Sequence, residues 1–444
     1  MQTNFTPDKL ADPHVAESEK ILRTCVHCGF CTATCPTYVL LGNELDSPRG
    51  RIYLIKDMLE NGRAADRETA THIDRCLSCL SCMTTCPSGV HYMHLVDHAR
   101  AHIQATYRRP IGERASRALL AAVLPYPARF RAALNLAKLG RPFAPLLKAV
   151  PALKPLAAML DLAPPSARAD SPSADEREPA TIPAAARRGR VAILAGCAQS
   201  VLDPGINAAA IRLLRRLGVE VALAQSEGCC GALVHHMGRE AESLDFARAN
   251  VDAWGRLIEG GGLDAILVTT SGCGTTIKDY GFMLRLDPAY AEKAKRIAAL
   301  AKDIAEYLAA LDLPPPARRT GLSVAYHSAC SMQHGQKVTR QPKELLARAG
   351  FVVREPREGH LCCGSAGTYN ILQSDIAEQL RERKVRNIEA TGADVVAAGN
   401  IGCMTQIARG TAKPVVHTVE LLDWAWGGPE PKAMSHLIAG RTAG

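Results

Sequence analysis

The sequence predicts a multidomain α+β chain: an α-helical module at the amino terminus, then two tandem α/β units built on one plan. Three observations carry this. Eight of the sixteen cysteines fall before residue 90, in two runs of four. The other eight form two later sets of four with nearly the same internal spacing. Within each later set, short apolar runs alternate with segments of helical period, the pattern of a parallel α/β sheet.

The amino-terminal module, residues 1–105, is defined by its cysteines. Cys25-Val-His-Cys-Gly-Phe-Cys-Thr-Ala-Thr-Cys-Pro and Cys76-Leu-Ser-Cys-Leu-Ser-Cys-Met-Thr-Thr-Cys-Pro are both C-x2-C-x2-C-x3-C-P. That run holds paired [4Fe–4S] clusters in bacterial-type ferredoxins. Each iron of a cubane needs one soft thiolate, and three cysteines two residues apart wrap one corner of the cube. The fourth cysteine of each run ligates the other cluster. Cluster one is therefore assigned Cys25, Cys28, Cys31 and Cys86, and cluster two Cys76, Cys79, Cys82 and Cys35. Pro36 and Pro87 fix φ and turn the chain out of each run. Structural zinc is the alternative, but zinc ribbons offer separated pairs rather than proline-closed runs of four.

At 444 residues, 47% hydrophobic and 22% charged, the chain has the composition of two or three globular domains. Cysteines grouped in this way suggest metal binding in a reducing compartment rather than disulfides. Met1 to Lys20 is polar and has no signal-peptide core, and no stretch approaches a membrane span. The expectation is a cytoplasmic protein, peripheral on the inner face of the cell membrane.

Residues 106–188 read as a basic helical connector and linker. Between Arg114 and Leu160 there is no Asp or Glu, while Arg114, Arg117, Arg129, Arg131, Lys138, Arg141, Lys148 and Lys154 interrupt Leu- and Ala-rich segments. Such basic amphipathic pieces suit an anionic membrane face or a partner subunit. Six prolines forbid one long helix, and the Pro-, Ser- and Ala-rich tract 164–188 reads as a flexible linker. Nucleic acid is a poor partner, because the basic residues lack an aromatic platform beyond Tyr126 and Phe130.

Residues 189–314 and 320–428 are two α/β cysteine-rich repeats. The first has strand Val191–Leu194, Cys197, a helix near Ala208–Leu217, strand Val219–Ala224 and Cys229-Cys230-Gly231. A helix near Glu240–Ile258, strand Ala265–Thr269 and Cys273 complete it. The second repeats the order with strand Leu322–Tyr326, Cys330, helix Pro342–Ala349, strand Phe351–Arg354 and Cys362-Cys363-Gly364. It closes with helix Ile376–Glu389, strand Asp394–Ala398 and Cys403. In both, 31 residues separate the first cysteine from the pair; the pair-to-last gaps are 42 and 39. Ligands gather at the carboxyl ends of parallel strands, so each repeat is expected to converge four sulfurs on one edge. The leucines of Leu300–Leu311 read as a core-facing stripe of 3.6 period.

With both ferredoxin runs, Ser47-Pro48-Arg49-Gly50-Arg51 between them and two Cys-Cys-Gly repeats, nearly the whole chain resembles the iron–sulfur subunits of glycolate oxidase. Anaerobic glycerol-3-phosphate dehydrogenase iron–sulfur subunits and heterodisulfide-reductase electron-transfer subunits share this layout and are the alternative. The resemblance implies an α-helical ferredoxin module with two [4Fe–4S] clusters followed by Cys-Cys-Gly repeats. It also implies FAD on a partner subunit that oxidises glycolate to glyoxylate, with electrons passing through this chain toward quinone. No G-x-G-x-x-G follows a strand, so no flavin or nucleotide fold is expected here. No residue is assigned a catalytic role on substrate. In the heterodisulfide-reductase relatives such repeats hold a noncubane cluster and end in C-x2-C. Here each ends in a single cysteine, which leaves open whether Cys197, Cys229, Cys230, Cys273 and Cys330, Cys362, Cys363, Cys403 bind further clusters.

Two other functions fit less well: a thiol–disulfide reductase, because the terminal C-x2-C is missing from this chain, and a redox sensor, which would not need two adjoining clusters. His91, His94 and His98 share a helical face, expected to be solvated rather than a quinone site. His235, His236, His327 and His360 flank the Cys-Cys-Gly motifs and are expected to be structural, with hydrogen bonds to cluster sulfur as the other role. His27 is expected at the surface.

Overall fold

The computed structural model describes residues 1–148, 154–162 and 187–437. The linker tract at 164–188 lies outside the described residues up to 186.

The amino-terminal module is helical, and its helices start where side chains satisfy free amides. Asp12, Ser47 and Asp66 cap helices Pro13–Thr24, Pro48–Asn61 and Arg67–Asp74, accepting from His14 N, Gly50 N and Thr69 N at 2.7–3.0 Å. Proline occupies the first position of the first two, where its missing N–H costs nothing. Ile52, Ile55, Met58 and Leu59 on one helix meet Leu95, Val96, Ala99 and Ile103 of helix Tyr92–Thr106 in a closed core with Leu22 and Ile73. These positions recur at three- and four-residue intervals, the single apolar face of a packed helix.

Each repeat is a four-stranded, all-parallel sheet. The first contains β1 (Gly189–Ile193), β2 (Val219–Ala222), β3 (Ala265–Val268) and β4 (Ala301–Asp303), in spatial order β2-β1-β3-β4. The second contains β5 (Ser323–His327), β6 (Val352–Arg354), β7 (Val395–Ala398) and β8 (Val415–His417), in order β6-β5-β7-β8. β3 and β7 are buried along their whole length, which is why they read as unbroken apolar runs. After the first strand the chain goes to one side, then returns to the other, so a topological switch point lies between β1 and β3 and between β5 and β7.

Each sheet has a fourth strand beyond the three expected from the sequence. The Leu300–Leu311 stripe is two helices, Ala291–Leu300 and Ile304–Ala309, joined by β4. Ala-Lys-Asp has no strand propensity; pairing with β3 imposes the extended form. Asp303 and Glu306 form a capping box that starts the second helix, a cue present in the sequence.

The repeats pack on each other with reciprocal contacts. Helix Gly205–Arg216, after β1, packs on Thr418–Ala425, after β8. Helix Ile304–Ala309, after β4, packs on Gln341–Arg348, after β5. One hydrophobic core therefore runs through both sheets, from Val191 and Leu213 to Val396 and Trp424. Connector helices Ile111–Val123 and Pro127–Gly140 lie along the outside, burying Leu120 against Val234 and Ile371, and Leu134 against Val201.

Candidate metal centre

Both amino-terminal runs adopt the same backbone. The third and fifth residues of each run are left-handed: His27 (φ 55) and Gly29 (φ 85) in one, Ser78 (φ 48) and Leu80 (φ 62) in the other. Three of these four carry a side chain, so each run holds a strained conformation, at about 1–2 kcal/mol per residue. Such strain persists only where its surroundings require it, and here it curls three sulfurs to one side. Cys25, Cys28, Cys31 and Cys86 line one cavity, which Cys82 also borders. Cys82 lies among Cys79, Cys76 and Cys35. Cys86 of the second run thus lines the cavity of the first, and Cys35 of the first run lies near Cys79 and Cys82 of the second. His27 is half-buried beside the first group.

The thiols fit a metal cluster. Burial raises Cys79 and Cys82 well above the ordinary thiol value, and Cys31 to about 11. Cys31, Cys79 and Cys82 would give up their protons on holding iron, whose charge would offset that of the buried thiolates. The fold also supplies a buried cation. Arg51, 1% exposed, donates to His72 O at 2.7 Å and Thr37 Oγ1 at 2.9 Å, and its Nη1 reaches Cys35 Sγ at 3.8 Å. Burial opposes its charge, but Cys76, Tyr92, Cys35 and Asp46 together hold it more firmly charged than usual. Asp46, fully buried, fixes Arg51, His72 and Arg75 at 2.9–3.5 Å. Arg49 pairs with Glu44 at 2.7 Å and its Nη1 donates to His27 O at 3.5 Å. The Ser-Pro-Arg-Gly-Arg segment thus caps a helix and directs Arg49 to the backbone of His27 and Arg51 to the sulfur of Cys35. Arg100 braces the second run from below, donating to Cys76 O and Ser78 Oγ.

The repeats do converge four sulfurs each. Cys197, Cys229, Cys230 and Cys273 form a continuous chain of sulfur contacts, as do Cys330, Cys362, Cys363 and Cys403. Cys330 and Cys362 are 3.7 Å apart. Sharing a hydrogen bond with the neighbouring sulfur, and then burial, raise Cys197 and Cys330 well above the ordinary thiol value. The glycine of each motif makes the geometry possible. Gly231 (φ 86) and Gly364 (φ 87) are left-handed, and each amide donates to the sulfur two residues back at 3.4 Å. A Cβ on Gly364 would lie 2.5 Å from Ala377 O.

Spacing alone did not indicate how the groups adjoin. Cys79 packs with Cys362, Leu77, Tyr369 and Ala377, and Cys330 borders that cluster. Tyr369 donates to Arg75 O at 3.1 Å and Thr84 Oγ1 lies 2.7 Å from His334 Nδ1, which fastens the helical module to the second repeat. The first repeat is held by histidines. His94 stacks on Phe282 and its Nε2 lies 2.9 Å from Asp279 Oδ1; His235 pairs with Asp97 at 3.3 Å. His98 Nδ1 lies 2.6 Å from Ser18 Oγ. The expectation of a solvated face therefore holds for His91, which is exposed, but not for His94 or His98. The two sheets' carboxyl edges meet through Ser271, whose Oγ lies 2.7 Å from Ser331 Oγ and accepts from Asn400 Nδ2 at 2.8 Å.

The family described as 4Fe-4S dicluster domain matches residues 21–90, and the family described as cysteine-rich domain matches 191–278 and 324–408. The glycolate oxidase iron-sulfur subunit of Escherichia coli (strain K12) is 43% identical over 425 residues, covering 96% of this chain and 99% of that protein. The chain belongs to the glycolate oxidase iron–sulfur subunit family. Within it, the probable glycolate oxidase iron-sulfur subunit of Bacillus subtilis (strain 168) is 29% identical, over 90% of this chain and 93% of that one. A crystal structure of a hypothetical protein from Helicobacter pylori shares the fold, with TM-score 0.55 at 9% identity, over 95% of this chain and 74% of that chain.

Proposed function

We propose that this chain is the electron-transfer subunit of a glycolate-oxidising complex, receiving electrons from a partner subunit that holds FAD and passing them toward quinone. When bound, each [4Fe–4S] cluster supplies a one-electron carrier. Cys25, Cys28, Cys31 and Cys86 hold one, and Cys76, Cys79, Cys82 and Cys35 the other. The observation that carries the reading is the contrast between the two sites. Cys28 is exposed, with Val26 67% and Phe30 62% exposed beside it, an open apolar face for an electron donor. Cys79 is buried and faces inward onto Cys362 and Cys330. Entry at the surface and exit into the second repeat is the arrangement a relay needs.

The four-sulfur sets at Cys197, Cys229, Cys230, Cys273 and at Cys330, Cys362, Cys363, Cys403 hold further iron–sulfur clusters. Each presents four thiols in contact, three buried and one (Cys273 or Cys330) half-buried, the ligand number a cubane takes. Among the described residues no helix is long and apolar enough to cross a membrane. Attachment is peripheral, through Leu136, Leu139 and Leu146, which are 68–76% exposed beside the exposed Arg131, Lys138 and Arg141. The domains are residues 1–105, 106–188, 189–314 and 320–428.

The test is anaerobic mixing of the iron-loaded chain with a glycolate-oxidising flavoprotein subunit, following the visible absorbance of the chain. Bleaching that depends on glycolate supports the reading. Bleaching only with a flavoprotein specific for lactate or glycerol 3-phosphate overturns the substrate assignment.

A further inference from the structure

The two repeats share a backbone plan but not a chemical environment. Val191 pairs with Ala265, the first residue of β3, and Val324 pairs with Val395, the first residue of β7. The strands are therefore in equivalent register, and each valine lies six residues before its repeat's first cysteine. Three residues beyond them stand Leu194 in the first repeat and His327 in the second. Leu194 is an apolar core residue, 2% exposed. His327 is equally buried, at 2%, and its Nε2 has no hydrogen-bond partner among the described residues. A ring nitrogen of His327 and the sulfurs of Cys363 and Cys403 all lie within 4.8 Å of one another.

A second difference lies on the long helix behind each pair. The motif glycines touch Ser243 in the first repeat and Ala377 in the second. Seven residues further along each helix stand Asn250 and Lys384. Asn250 is neutral and fully buried, donating to Cys229 O at 2.9 Å. Lys384 is 2% exposed, donates to Glu358 O at 2.9 Å and faces all four sulfurs of its repeat.

We propose that His327 ligates iron at the Cys363–Cys403 end of the second repeat, so that this site is mixed imidazole and thiolate while the first is all sulfur. This rests on the reading that the repeats are loaded. A buried imidazole with an unpartnered nitrogen is costly unless something binds it. Two sulfurs within ligand reach, in a set that already suits iron, supply that something. A neutral imidazole among the ligands raises an iron–sulfur potential relative to an all-thiolate site, and a buried ammonium acts in the same direction. The second repeat, which the helical module contacts through Cys79, is thus the more oxidising of the two.

The test uses the full chain, reconstituted anaerobically, unlabelled and with [15N]histidine, poised across a range of potentials so that each paramagnetic state is sampled by pulsed electron paramagnetic resonance. Iron and sulfide are counted on the same samples. The expected result is more than about eight irons per chain, with a nitrogen coupling that changes on histidine labelling and disappears in His327→Leu without loss of iron. More than eight irons with no histidine coupling, or with a coupling that survives in His327→Leu, overturns the ligand assignment and leaves the loaded repeats standing. An iron count that stays at eight overturns the loaded repeats, and the ligand with them. If His327→Leu does not fold, His327→Asn, which keeps a polar side chain at the position, takes its place: the coupling should be lost there, and one that survives overturns the assignment.

Discussion

Replacing Arg51 with methionine removes a positive charge from beside the second cysteine set while keeping most of the side-chain volume. Its Nη1 is 3.8 Å from Cys35 Sγ. At an effective dielectric of about 20, a unit charge at that distance is worth about 4 kcal/mol. An added electron is spread over a whole cluster, and at roughly twice the distance the interaction falls to about 2 kcal/mol. At about 2.3 kcal/mol per 100 mV, the potential of the site holding Cys35 should drop by roughly 0.1 V in Arg51→Met. The substitution also leaves Asp46 buried with only His72 and Arg75, so stability should fall by about 3 kcal/mol, the low end for breaking a buried pair. Arg51→Lys separates the two effects: it keeps the charge and loses the fork that reaches His72 and Thr37. The assay is a potentiometric titration of the reconstituted chain monitored by electron paramagnetic resonance. If Arg51→Met retains its iron and titrates at the wild-type potential, the buried guanidinium does not tune the site. If the site of Cys25, Cys28 and Cys31 shifts more than the other, the crossed ligation is wrong.

Three further outcomes follow from particular contacts. Gly364→Ala places a Cβ 2.5 Å from Ala377 O on a left-handed residue, and should cost about 2–4 kcal/mol in urea unfolding; an unchanged midpoint would show that the turn is not needed. Burial raises the Asp303 carboxyl from 3.8 to about 7, so the folded chain binds a proton that the unfolded chain has released. Stability is then full below about pH 4 and falls as pH rises toward 7, by up to about 4 kcal/mol; Asp303→Asn should flatten that slope, and a slope unchanged in the variant refutes it. Leu136→Glu with Leu139→Glu should abolish sedimentation with vesicles containing anionic phospholipid and leave iron content unchanged; retained sedimentation assigns attachment elsewhere.

The parts of the fold that were legible in the sequence are those where one requirement dominates. Ligand spacing in the two runs is set by the size of an iron cube, and strands β3 and β7 must be apolar throughout because both faces are covered. β4 was hidden because Ala301–Asp303 takes its conformation from its neighbour, not from its own residues. Arg51 belongs to the Ser-Pro-Arg-Gly-Arg motif, but nothing local shows that its guanidinium turns inward to Cys35. The packing of Cys79 on Cys362 joins residues almost three hundred positions apart, and no periodicity carries that information. His94 and His98 misled because a shared face predicts a common neighbour without saying whether it is water or protein. Here the neighbours are Asp279, Phe282 and Ser18.

The duplication explains why the helical module can touch both sulfur edges. One four-stranded sheet leaves helices on each face, and the reciprocal pairing of helix 205–216 with 418–425 and of 304–309 with 341–348 buries those faces in a single core. The same pairing brings the carboxyl edges together at Ser271, Ser331 and Asn400. A module resting there need not treat the two edges alike. It meets the first through the hydrogen-bond contact of His94 with Asp279 and the pairing of His235 with Asp97, and the second through apolar packing around Cys79. Burial lowers the pKa of His235 but the carboxylate of Asp97 raises it by more, so this contact responds to protonation, whereas buried apolar packing does not. Lowering pH from 8 to 6 should therefore alter hydrogen exchange along helix Tyr92–Thr106 where it faces the first repeat, and leave the segment around Cys79 protected. Equal change on both sides would mean that the module is held as one unit and that the asymmetry of its contacts has no dynamic consequence.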